Sequence, residues 1–202
     1  MNSTEMLNLI RTDLGDTNPA AYRWEDAALA RHLSRAVGEY SMAAPREMTM
    51  SFITVLGERN IDLTPIQDRV CLTAAEYPAG EYPRRFRRFS AWGHRLTLEG
   101  DPPPDGSELL VYYGAMHTLD TAGCTIPAKH HDLVAGGAAA YAALEWSCIA
   151  VNRVNSGADA AEGYFRWAKE RLSAFQFALR RLKLGGQVRA ARLYHCAANT
   201  ED

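Results

Sequence analysis

The stretch His130–Asn152, "HHDLVAGGAAAYAALEWSCIAVN", decides how the chain is to be read. It opens on two imidazoles and a carboxylate, then passes through glycines and alanines into aromatic and branched residues. Its length and lack of internal breakers predict one long helix, which Pro127 suits as a first-turn residue. Two readings of the opening stand side by side. His130, His131 and Asp132 are acid/base and metal-ligand types. Adjacent helical residues, however, diverge by roughly 100°, so the two rings do not readily grip one ion, and no HExxH spacing is present. Capping and interaction with the helix dipole are the plainer account. The small residues that follow, Gly136, Gly137 and Ala140 among them, predict close packing against a neighbouring element, within the chain or between copies.

Working outward, "NRVNSGAD" breaks the pattern after this helix, and a second long helix is expected from about Ala160 to Lys183. Phe165, Ala168, Leu172, Phe175, Leu179 and Leu182 recur at helical spacing there, with arginines on the other side. The two long helices are expected to lie antiparallel. Gly185-Gly186 is expected to end the second, leaving "QVRAARLYHCAANTED" as an extended tail. From Gly163 to Thr200 eight Lys/Arg residues stand against one acid, Glu170, although the whole chain of 202 residues carries a formal charge of -2. Val188, Arg189, Arg192, Leu193 and Tyr194 are types that anchor a segment ordering on a partner, the alternative being a disordered terminus.

Toward the N-terminus, Leu7, Ile10 and Leu14 mark a short helix capped by Ser3 or Thr4 and stopped by "DLGDTNP". "YRWEDAALARHLSRAVGEYSMAAP" then places Leu29, Leu33, Val37 and Tyr40 on one stripe, with Glu25 and Asp26 near the positive end of the dipole. From residue 47 the period changes, and "MTMSFITV", "ERNIDL", "DRVCLTAAEY", "RRFSAWGHRLTLEG" and "SELLVYYGAMHTL" predict a small antiparallel sheet. The expected fold class is therefore α+β, mainly α: a helical bundle from residues 1–46 and 121–184, a β insertion over 47–120, and a tail over 185–202.

For chemistry the sequence offers little. No GxSxG, P-loop or GxGxxG is present, and no cofactor or metal is expected. Cys71, Cys124, Cys148 and Cys196 are scattered without a CxxC, which fits packing residues in a reducing compartment. No basic stretch followed by an apolar run opens the chain, and the most apolar segment contains Glu145, so neither secretion nor a membrane partner is expected. "RRFRRF" raises an alternative: Arg84, Arg85, Arg87 and Arg88, with Phe86 and Phe89 to stack on bases, would suit a small nucleic-acid-binding protein helped by the basic C-terminus. Alternation along a strand splits those arginines between two faces, which favours a solvated edge or intersubunit ion pairs. A hydrolase centred on His130 and His131 is a third reading, without motif support.

The layout as a whole resembles a known family. A short helix ending in "LGD", the "YRWEDAALARHLSRAVGEYS" segment, a β insertion ending in "ELLVYYGAMHTLD", then "TIPAKHHDLVAGGAAAYAALEW" and a long basic helix with a tail are similar to the head-to-tail connector, or neck adaptor, proteins of tailed phages and related gene-transfer particles. The likeness covers most of the chain, and its most specific parts are Tyr22–Asp26 and Ile126–Ala142. It implies a non-enzymatic virion protein, made in the host cytoplasm and placed at the neck. Such a protein forms a homo-oligomeric ring, usually a dodecamer, that docks to the portal protein above and to a tail or second neck protein below. DNA passes through its channel without specific binding. The resemblance further implies a portal-binding role for Gln187–His195 and a tail-side or intersubunit role for the β insertion.

Overall fold

A computed structural model describes the backbone of residues 1–151 and 158–193, with side chains over 1–150 and 161–185. The chain divides into two compact units, one formed by Met1–Ala44 and His117–Lys183, the other containing Pro45–Met116. The class is α+β, as the change of period predicts.

The first unit is helical. Helix α1 spans Ser3–Leu14 and α2 spans Asp26–Ala43. Helix α3 spans His131–Val151 and α4 spans Ala158–Leu193. The cap of α1 is Asn2, not Ser3 or Thr4: its side chain accepts from the Glu5 amide while Glu5 accepts from the Asn2 amide, a reciprocal capping box. Gly15 closes the helix at φ 66°, the left-handed conformation that glycine adopts without a Cβ penalty. The α2 stripe of Leu29, Leu33, Val37 and Tyr40 is buried, and with Met6, Ile10 and Leu14 it joins the alanine-rich face of α3 in one core.

The two long helices do run antiparallel. Tyr164 stacks on Trp146 at 5.0 Å between ring centroids, while farther along α4 Phe175 lies over Gly137 near the start of α3. One member of the expected α4 stripe is misplaced: Phe165 is 45% exposed, and Tyr164 and Ala161 turn inward beside Ala168. The expected stop at Gly185-Gly186 is also corrected. The backbone of α4 stays helical through both glycines to Leu193, so Val188, Arg189, Arg192 and Leu193 lie on the helix, while Tyr194 falls outside the described residues. Two glycines weaken a helix by about 1 kcal/mol each and do not by themselves end one.

The second unit corrects the expectation of one simple sheet. Strands β1 (Arg46–Ile53), β6 (Glu108–Ala115) and β3 (Arg69–Glu76) form one antiparallel sheet in the order β1-β6-β3. Strands β2 (Asn60–Asp62), β5 (Arg95–Leu98) and β4 (Phe89–Trp92) form another in the order β2-β5-β4. Both contribute to one apolar core, including Leu63, Ile61, Ala75, Tyr77, Leu96, Leu98, Leu109 and Val111. Inward positions alternate along β6, where Leu109 and Val111 are buried, as a half-buried strand requires.

Candidate functional site

His130, at the end of the 3-10 turn before α3, and His131, the first residue of α3, go to different partners. His130 Nδ1 lies 2.7 Å from the Tyr40 hydroxyl, and His131 Nε2 lies 2.9 Å from the carbonyl of Ile126. The divergence of adjacent helical positions thus places one ring against α2 and the other over the approach to its own helix. Desolvation, followed by the nearby Lys129 and His117, holds His130 below the usual imidazole range. That environment favours a neutral ring locked to a phenol. Around it, His117 Nε2 reaches the Ala44 carbonyl at 3.0 Å, and the His117 amide donates to Ser41 Oγ at 3.0 Å. The His130 and His117 contacts tie α2 and its C-terminal end to the segment leading into α3, while the His131 contact ties α3 to its own approach. Among the described residues no group of three or more His, Cys, Asp or Glu side chains could hold a metal ion.

Gly136, Gly137 and Ala140 differ in what they face. A Cβ built at Gly137 would stand 2.9 Å from three ring atoms of Phe175, closer than real side chains approach, so α3 needs glycine here to seat the Phe175 ring. The close neighbour is thus an aromatic side chain rather than a backbone. Gly136 has room, its nearest atom being Asp13 Oδ2 at 3.9 Å, and Ala140 is fully buried. Helix α3 is long and apolar enough by composition to cross a membrane, yet 61% of its most apolar window is buried in the fold, which is how a core helix passes the same test.

The arginine run is built into the second unit as a seam between its two sheets. The Tyr77 amide donates to the Arg85 carbonyl at 2.9 Å and the Arg87 amide to the Ala75 carbonyl at 2.8 Å, and Phe86 bridges Glu76, so residues 85–87 line the outer edge of β3 and lead into β4. Arg87 is spent on the carbonyls of Pro102, Glu99 and Gly100 at 2.9, 3.1 and 2.7 Å. Arg84 lies 4.0 Å from Glu76, whose buried carboxylate accepts from Tyr112 at 2.6 Å, and Arg85 lies 3.9 Å from Glu81. Arg88 is exposed. Three of the four arginines thus have partners inside their own unit, and only local alternation, not the direction of each guanidinium, was visible in the sequence.

Two clusters escape a reading by stripes and motifs. Arg11, 4% exposed, gives Nη1 to Asp16 at 2.6 Å and Nη2 to the Trp24 carbonyl at 2.8 Å and to Asp26 at 2.6 Å. Asp16 in turn accepts from the Arg23 amide at 2.8 Å. "LGD" and "YRWED" are therefore two ends of one knot around a buried guanidinium, a role that suits its fork of donors. The second cluster stacks Trp24, Trp146 and Tyr164, with Arg23 lying 4.6 Å from the Trp146 centroid. His32 Nε2 lies 2.5 Å from Glu145 Oε2, and Arg31 meets the same carboxylate; desolvation holds the His32 imidazole below its usual range. Glu145, an acidic residue on an otherwise apolar helix, is thus an anchor for α2.

The outward side of α4 keeps Phe177 and Leu184 exposed, both at 62%, with Arg166, Arg180 and Arg181 also exposed. Compared with known proteins, the chain matches no protein-family model and no curated protein sequence.

Proposed function

We propose that the protein is a structural head-to-tail connector of a phage-like virion. Copies assemble as a ring beneath the portal, extend the DNA channel and present a docking surface for the tail, without catalysis or cofactor. The observation that carries this reading is the outer side of α4. A long helix that buries Ala168, Phe175 and Leu179 yet leaves Phe177 and Leu184, seven residues apart and so on one face, exposed among arginines has a second apolar surface to cover. A ring requires such a surface, because each copy must offer its neighbour a patch different from the one it receives. The order of elements, two helices, a β unit, then two long helices, agrees with the layout of the connector family.

The basic end of α4 is the proposed portal contact. Val188, Arg189, Arg192 and Leu193 lie on its backbone, so the element offered to the portal starts as helix, with Tyr194 just beyond. Weak single contacts repeated around a ring gain strength through avidity. The nucleic-acid reading finds less support, because Arg84, Arg85 and Arg87 have partners within their own unit.

The test is co-sedimentation with the portal ring of the same genome, comparing the full chain with one ending at Gly185. Saturable binding at ring stoichiometry that needs the last turns is the expected result. Equal binding by both forms refutes the portal role of the C-terminus, and binding by neither refutes the connector.

A further inference from the structure

We infer that the outer edge of β1 from Met48 to Ile53 is a self-recognition surface, which pairs antiparallel with β1 of a second copy of this chain. The phase of the ladder is fixed at its end, where the Thr54 amide donates to the Ser107 carbonyl at 3.2 Å. In an antiparallel ladder this alternates, so Met48, Met50 and Phe52 direct their backbone groups to β6, while Thr49, Ser51 and Ile53 direct theirs away from it. Those three residues are exposed, Ile53 at 75%.

The other edges of the unit differ. Strand β3 has register shifts against β6 and its outer side is taken by residues 85–87, and β2 and β4 are only three and four residues long. Strand β1 keeps register with β6 over all eight of its residues without a bulge. From Met48 to Ile53 it reads "MTMSFI", with no proline, glycine or charge. Lysine, proline, bulges and short length are the usual protections of a sheet edge, and this segment has none of them.

The sequence of that edge is complementary to itself. With Met50 on a two-fold axis opposite its own copy, Thr49 stands opposite Ser51 and Met48 opposite Phe52. Hydroxyls then meet on one face and apolar side chains on the other, and no like charges oppose each other, because Glu47 falls opposite Ile53. Met50 and Phe52 pack against the core but remain half-buried, so the same side chains of the second copy would extend the apolar face over them. An isologous contact closes at two copies, whereas a ring needs a heterologous one. The inference therefore stands apart from the connector reading, and describes the free chain.

Sedimentation velocity of the full chain over a concentration series tests it, with two charge variants. Thr49→Lys/Ser51→Lys sets lysine opposite lysine twice, and Thr49→Glu/Ser51→Glu does the same with carboxylates; the altered side chains all point to the exposed face, so melting curves should match the parent. The expected result is a dimer for the parent chain, dimerisation weakened about ten-fold in either variant, and its recovery when the two variants are mixed. A parent chain that stays monomeric throughout the series overturns the inference. So does a dimer unaffected by the charges, or a mixture that associates no better than its components.

Discussion

Placing a methyl group on Gly137 probes the contact between the two long helices. The added Cβ would meet three atoms of the Phe175 ring at 2.9 Å, and Phe175 is only 2% exposed, so the ring cannot swing into solvent without leaving the core. Overpacking of this kind costs about 1–3 kcal/mol. The exchange of glycine for alanine inside a helix returns about 1 kcal/mol. Gly137→Ala should therefore destabilise the helical unit by up to about 2 kcal/mol, and for a unit of its size each kcal/mol lowers Tm by about 4 °C. Gly38→Ala in α2 is the matched control, since no atom lies within 4 Å of its built Cβ; it should raise stability by up to about 1 kcal/mol. Phe175→Leu, which frees ring volume, should make the second Gly137→Ala change less costly than it is alone. Calorimetric or circular-dichroism melting of the parent and the four variants checks the scheme. If Gly137→Ala stabilises the protein as Gly38→Ala does, α3 and α4 do not meet as described.

Other perturbations test other parts of the account. Arg11→Met leaves the Asp16 carboxylate, 6% exposed, without its cation, and should cost about 3 kcal/mol in a denaturant titration; Arg11→Lys should recover only part of that, because an ammonium cannot reach all three acceptors. His130 and His32 both have imidazole pKa values lowered by desolvation, so the unfolded chain takes up protons before the folded one. The stabilisation from keeping these rings neutral is present above the ordinary imidazole pKa of about 6.5. It is lost as pH falls from there through the folded values, so Tm should drop between neutral and mildly acidic pH, and His130→Gln should flatten that slope. Phe177→Glu, at a position 62% exposed, should leave Tm unchanged while abolishing assembly on the portal; assembly at parental levels would remove the exposed side of α4 from the proposed interface.

What the sequence made legible were features carried by local periodicity. The α2 stripe, the two long antiparallel helices and the five β segments all follow from spacing that survives in the fold. Phe165 defied its stripe because it lies about 80° around the helix from Phe175, whereas Tyr164, one position earlier, lies within about 20° of it and finds Trp146 and Trp24 to pack against. The seam through residues 85–87 was illegible for another reason: what joins the two sheets is backbone pairing with β3, to which arginine side chains give no clue. Arg11 sits on a helix whose polar residues look solvated, and only the return of Asp16, Trp24 and Asp26 around it shows that it is buried. Gly114 is a similar case, since its need for a bare Cα comes from Pro45, 2.7 Å from a built Cβ and far away in sequence. His130 and His131 each have their own partner, the Tyr40 hydroxyl and the Ile126 carbonyl, which no local spacing announced.

The measurement that bears most directly on the connector proposal is electron microscopy of the purified portal ring mixed with the full-length protein. The account predicts side views with a second, coaxial ring of density on one end of the portal, and end views with the portal's rotational symmetry. Bare portal rings, with the protein left unassembled in the background at saturating concentration, would contradict it.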